Sequence, residues 1–160
     1  MTELARLAAA VAARLTERGE TLAVAESSTG GLISAALLAV PGASKFYVGG
    51  AVVYTARARL TLMDIPQKAM DGLRSASEPY AVLLARVAGK NLKATWGLSE
   101  TGAAGPDGNR YGDAAGHSCT AVVGPDKEVS LTVETGLDDR ETNMRRFAEH
   151  ALALLLETLG

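Results

Sequence analysis

The chain has 160 residues, of which 48% are apolar, 21% charged and only 4% aromatic, and its 16 basic and 18 acidic side chains leave a formal charge of −2. Such a length and apolar fraction suit one domain that buries roughly 68–70% of its unfolded surface; they exclude disorder, and the balanced charge argues against a nucleic-acid partner. One cysteine and two histidines exclude an internal disulfide, offer no metal-ligand spacing and suit a reducing, cytoplasmic setting.

No apolar run approaches the roughly 18 residues of a membrane span, so no membrane partner is expected. Leu4, Leu7, Ala8, Val11 and Leu15 fall on one face of a helix predicted over Thr2–Arg18 and stopped by Gly19. Arg14 interrupts its apolar side, so the segment reads as a mature amphipathic helix rather than a leader. A short buried strand follows over Thr21–Glu26, then a helix over Gly30–Val40 that Pro41-Gly42 ends. Val48–Thr55 reads as a second strand and ARARLTLM as a helical segment broken by Asp64 and Pro66. The stripe Phe46, Tyr47, Val48 fits core or a subunit interface equally. Ser77 is expected to N-cap a helix running to about Asn91, with Pro79 in its first turn and Val82, Leu83, Val87 and Leu92 as its apolar positions.

ATWGLSETG then reads as a strand entering a glycine-rich loop. HSCTAVVG and KEVSLTVETG form a hairpin about Gly124-Pro125-Asp126, and a last helix from Asp139 buries Phe147, Ala151, Leu152 and Leu155. Strands alternating with helices, then a hairpin, predict a layered α/β/α domain with a mixed, mostly parallel sheet. No internal repeat or linker divides the chain.

Four segments carry candidate chemistry. Glu26-Ser27-Ser28-Thr29-Gly30-Gly31 lies where a strand gives way to a helix, a place suited to anion binding, helix capping or a nucleophilic hydroxyl. Thr101-Gly102-Ala103-Ala104-Gly105-Pro106-Asp107-Gly108 follows another strand and would meet the first loop at one sheet edge if the strands are parallel. Tyr54 to Arg59 offers a ring and the guanidinia of Arg57 and Arg59. Arg140 is unusual at a helix start, where a cation is unfavourable unless something anionic is near. His117, His150 and Cys119 have no neighbours in sequence that suggest catalysis, and Cys119 reads as a small buried residue.

Taken together these motifs resemble the C-terminal domain of the competence/damage-inducible CinA proteins. AESSTGGLISAALLAVPGASKFYVGGAVVYT is similar to that family's AESCTGG segment with its PGSS and VxYS, SASEPYA to its VSEE helix start, TGAAGPDG to its TGIAGPxGG loop, and DDRETNMRRFAEHAL to its GDR helix. The family includes metal-free, cofactor-free nicotinamide mononucleotide deamidases, so the resemblance implies a serine–lysine amidohydrolase. Ser27 matches its nucleophile. The resemblance places Thr29, Gly30, Gly31, Tyr54, Thr101, Gly102, Gly105, Arg140 and Arg145 around a nucleotide substrate, with the N–H groups of Thr29–Gly31 as oxyanion or phosphate donors. It also implies self-association.

The lysine of the family's YSNxAK falls on Arg59, and no lysine lies between Lys45 and Lys68. A guanidinium has no acceptor atom with which to take a proton, although it can orient a phosphate or an oxyanion. Asp113-Ala114-Ala115-Gly116 replaces the family's KPVG, and Met144 stands where a second arginine is expected. Two functions therefore stand side by side. One is an amidohydrolase with a replacement base such as Asp113, His117 or a water-relayed Glu26. The other is a nucleotide-binding or regulatory protein that kept the scaffold and lost the chemistry.

Overall fold

A computed structural model describes residues 1–160. The elements are α1 (Glu3–Arg18), β1 (Leu22–Glu26), α2 (Leu32–Leu38), β2 (Tyr47–Val52), α3 (Ala56–Met63), α4 (Glu78–Asn91), β3 (Trp96–Ala103), β4 (His117–Val123), β5 (Glu128–Glu134) and α5 (Arg140–Leu159). The sheet runs β2-β1-β3-β4-β5. β1 pairs in parallel with β2 and β3, whereas β3–β4 and β4–β5 are antiparallel. The sheet is thus mixed, with β4 alone running against the others.

Helices cover both faces. α1, α2 and α5 seal one face through Leu7, Val11, Leu15, Ile33, Leu37, Ala148, Leu152 and Leu155, packed on Leu22, Val24, Leu98 and Val122. On the other face Ala23, Ala25, Val53, Met63, Tyr80 and Leu84 join β1 to α3 and α4. The expected caps are present. The Thr2 and Ser77 hydroxyls accept from Ala5 N and Tyr80 N, the Asp139 carboxylate accepts from Thr142 N, and Gly19 takes φ 64°.

α4 departs from expectation. Its buried face is Tyr80, Ala81, Leu84, Ala85 and Ala88, while Leu92 is exposed and Val82, Leu83 and Val87 lie at the rim. The reason is close approach: a Cβ on Gly97 of β3 would lie 1.8 Å from the Ala85 carbonyl oxygen, so the helix backbone nearly touches the strand and only small side chains fit between. The second strand also ends at Val52 rather than Thr55, because the Thr55 hydroxyl caps α3 by accepting from Ala58 N at 3.1 Å. Of the stripe that left core and interface open, Phe46 is core, Tyr47 half-buried and Val48 exposed. No helix is long and apolar enough to cross a membrane.

Candidate functional site

β1, β2 and β3 run in one direction, so the segments after them meet at one end of the sheet, where open α/β sheets bind ligands. A cavity of about 260 Å³ opens there, walled by Ser27, by Val53 to Ala56 and Arg59, by Ser75, Ala76 and Tyr80, by Thr101 and Gly102, and by Asn109 and Tyr111. Of the residues expected at the site, Ser27, Tyr54, Arg59, Thr101 and Gly102 share it.

The turn around Ser27 is organised from below by two buried carboxyl groups. Glu26 Oε1 accepts from Gly31 N and Ile33 N, both at 3.0 Å, and its Oε2 accepts from Ser34 N at 2.8 Å. Glu100 Oε1 accepts from Ser27 N at 3.0 Å and Thr29 N at 2.9 Å, and its Oε2 accepts a short hydrogen bond from the Ser28 hydroxyl. Gly30 N is used by the Ser27 carbonyl. The Thr29–Gly31 amides therefore point inward to internal acceptors, contrary to the expectation that they receive an oxyanion or phosphate. The helix start carries its own counter-anions.

The Thr29 hydroxyl lies 2.7 Å from Glu26 Oε1 and 2.8 Å from Glu100 Oε1. It has one proton for two acceptors, so a protonated carboxyl relieves the crowding. Burial pushes the Glu100 carboxyl above its ordinary range, against the hydrogen bonds from Ser28, Thr29 and Ser27 that favour the anion. Glu100 was missed in the sequence, where it reads as one more residue of a strand. The available signal was a lone carboxylate among the apolar and small residues of GLSETG.

Arg59 is 7% exposed. Its Nη2 donates to Gln67 Oε1 at 3.2 Å, its Nε is shut off from solvent with no partner, and its guanidinium carbon lies 5.6 Å from the centre of the Tyr80 ring. The Ser27 hydroxyl makes no hydrogen bond; only its amide is held. None of the suggested replacement bases walls the cavity. Glu26 serves α2. Asp113 accepts from Arg74 Nη1 and Asn109 Nδ2, each at 2.8 Å. Burial opposes the Asp113 charge, but these bonds and the charges of His117 and Arg74 hold its carboxyl below the usual range.

His117 is buried, with Nδ1 at 2.5 Å from Glu134 Oε1 and Nε2 at 2.8 Å from the Ala76 carbonyl. Burial disfavours its charge, yet these two bonds and the charge of Asp113 hold its pKa above the ordinary value. Ala76 is fixed from both sides, since its N–H donates to Thr101 Oγ1 at 3.1 Å.

The remaining expected residues do not wall the cavity. Arg140 donates to the Gly105 carbonyl at 2.5 Å and to the Tyr54 hydroxyl at 3.1 Å, so a phenol and a carbonyl, not an anion, accommodate it at the helix start. Arg145 pairs with Glu141 at 3.3 Å on the outer side of α5. Cys119 is buried and His150 half-buried. Met144 packs against Gly30, its methyl 3.2 Å from where a Cβ would stand. Ser75, Tyr80, Asn109 and Tyr111 join the wall without any sequence signal. No group of three His, Cys, Asp or Glu side chains is placed to hold a metal ion.

A family model described as the CinA C-terminal domain matches residues 4–159. A CinA-like protein of Gloeobacter violaceus is 36% identical over 150 residues, covering 93% of this chain and 35% of that protein. One of Synechococcus sp. (strain RCC307) is 38% identical over 120 residues, covering 75% of this chain and 29% of that protein. The chain thus spans about a third of the length of these curated relatives. Among solved structures, a competence-damaged protein (CinA) superfamily protein from Escherichia coli superposes with a TM-score of 0.90 at 29% identity, over 97% of this chain and 90% of that one. A competence or damage-inducible protein from Enterobacter asburiae gives 0.91 at 28% identity, over 100% of both. On the sequence match and on the fold alike, the chain belongs to the CinA C-terminal domain family.

Proposed function

We propose that this chain binds a small anionic molecule of the pyridine-mononucleotide kind between Ser27 and Arg59, and that the amide hydrolysis suggested by its resemblance is silenced. The observation that carries this reading is the wall itself: hydroxyls, aromatic rings, one carboxamide and one guanidinium, with no carboxylate, imidazole or amine to take the Ser27 proton. Attack on a carboxamide needs that proton removed as the new C–O bond forms, donors for the resulting oxyanion, and a proton for the departing ammonia. Arg59 can supply charge but no acceptor. The amides of the Ser27 turn are held by Glu26 and Glu100.

One observation favours a second reading. The Ser27 hydroxyl has no protein partner and walls the cavity, so hydrolysis with a base supplied through water or by the ligand remains chemically open. Ammonia release from nicotinamide mononucleotide, measured on the parent, Ser27→Ala and Arg59→Lys, separates the two. The binding reading expects parent and Ser27→Ala to match the uncatalysed rate while calorimetry detects mononucleotide binding. Turnover by the parent that Ser27→Ala abolishes overturns it. Turnover gained by Arg59→Lys identifies the guanidinium as what silenced the site.

A further inference from the structure

We propose that the wider, outer half of the cleft is a phosphate subsite, with Arg110 as its donor and the Tyr111 ring as the support of that arginine. The ligand's ring end then lies at Ser27 and its phosphate points outward. This rests on the binding reading above and adds the direction in which the ligand lies.

The phosphate donors expected elsewhere are spent. The Thr29 and Gly31 amides serve Glu100 and Glu26, Arg140 serves the Gly105 carbonyl and the Tyr54 hydroxyl, and Arg145 pairs with Glu141. The outer half has about 460 Å³ and is lined by the three guanidinia of Arg59, Arg74 and Arg110 and by no carboxylate. Tyr54, Arg59, Asn109 and Tyr111 wall both halves, so one ligand can occupy the two together. A cleft lined by one sign of charge concentrates ions of the other.

The loop that carries Arg110 is built. Asn109 Oδ1 accepts from Tyr111 N at 3.0 Å and Asp113 N at 3.2 Å, and its Nδ2 donates to Asp113 Oδ2 at 2.8 Å. Arg74 Nη1 donates to the same carboxylate oxygen at 2.8 Å and to the Ser75 carbonyl at 3.1 Å, which ties the loop to the segment before α4. The guanidinium carbons of Arg74 and Arg110 each lie 5.1 Å from the centre of the Tyr111 ring. Asp113 offsets the charge of Arg74. Arg110 has no such partner: its one hydrogen bond runs from Nη2 to the Tyr111 hydroxyl at 3.1 Å, and its other N–H groups are unused. A phosphomonoester brings the charge and the paired acceptor oxygens that such a fork takes.

The test is calorimetric titration of the full chain with nicotinamide mononucleotide, nicotinamide riboside, which lacks only the phosphate, and inorganic phosphate, at one pH and ionic strength. The mononucleotide is expected to bind about tenfold tighter than the riboside or more, the worth of a charge-assisted hydrogen bond. Arg110→Gln is expected to bring the two within about twofold by weakening the mononucleotide alone, and Tyr111→Leu to fall between. Arg57→Gln removes the same charge from a residue that walls neither half and should leave the ratio as it is. Equal affinities on the parent overturn the subsite and leave the binding reading standing. So does a preference that survives Arg110→Gln, or one that Arg57→Gln erases as fully. Inorganic phosphate that binds as tightly as the mononucleotide assigns the cations to a free anion and also overturns it. If the mononucleotide does not bind, the subsite and the binding reading fall together.

Discussion

Glu100 accepts from the amides of Ser27 and Thr29 and from the hydroxyls of Ser28 and Thr29 while wholly shut off from water. Its carboxyl is raised by burial, so the folded chain binds a proton there more tightly than the unfolded chain does. Stability from this group is therefore complete at acid pH and is lost as pH climbs from the ordinary carboxylate range through its raised value. Glu100→Gln keeps the acceptor that holds the two amides and offers an N–H to Ser28. Relative to that variant, the parent should lose about 1.4 kcal/mol per pH unit across the window. Urea unfolding of both chains at several values between pH 5 and pH 8 checks it; a difference that stays flat with pH refutes the assignment. Arg59 was legible as the misfit at a lysine position. Its missing partner was not, because hydrogen-bond satisfaction depends on Gln67 and Tyr80, which only the fold brings near.

Among the elements, α4 and β3 show how a side chain that is not there sets a distance. Ala81, Ala85 and Ala88 face the sheet, and Gly97 lets the Ala85 carbonyl lie where a methyl would be. Gly97→Ala must push helix and strand apart. It is expected to cost about 3 kcal/mol or more and to lower Tm by roughly 6–12 °C; an unchanged melting curve would mean the helix does not sit on that glycine. The helix ends were legible because Thr2, Gly19, Ser77 and Asp139 act locally through hydroxyls, a carboxylate and a left-handed glycine. The inner face of α4 was not. Apolar periodicity weights Val and Leu, whereas this contact selects for small volume, so Val82, Leu83 and Val87 ended at the rim. The two glycine-rich loops did meet as the strand order implied, but their role had to wait for Glu26 and Glu100, which turn the amides of the first one inward.

Across the whole molecule, the cavity is assembled from segments between Ser27 and Tyr111, and one imidazole joins several of them to the sheet. The partners of His117 are a carboxylate and a carbonyl, both acceptors, so each ring nitrogen must carry a proton to make both bonds. Asp113 at 3.6 Å adds to that preference, Arg74 sits on Asp113, and the Cys119 thiol approaches the ring at 3.7 Å. A raised pKa here means stability present below the ordinary histidine value of about 6.5 and lost as pH rises through the higher folded value. Parent and His117→Gln should differ by about 1.5–3 kcal/mol on the acid side, with the gap narrowing as pH passes through neutrality into the alkaline range. Chemical unfolding at pH 6 and pH 9 measures it, and a gap that widens with pH contradicts the clasp.

That clasp ends on Ala76, whose φ of 55° is one that a residue with a Cβ adopts at a cost of about 1–2 kcal/mol. Thr101 holds its N–H and His117 its carbonyl. The cavity wall there is a latch under tension. Arg74 Nη1 at 3.4 Å and the Cys119 thiol at 3.5 Å also reach that carbonyl, so four side chains share the work of keeping the alanine in a shape it would leave unaided, and the strain of one residue is spread over the sheet and the cavity rim together.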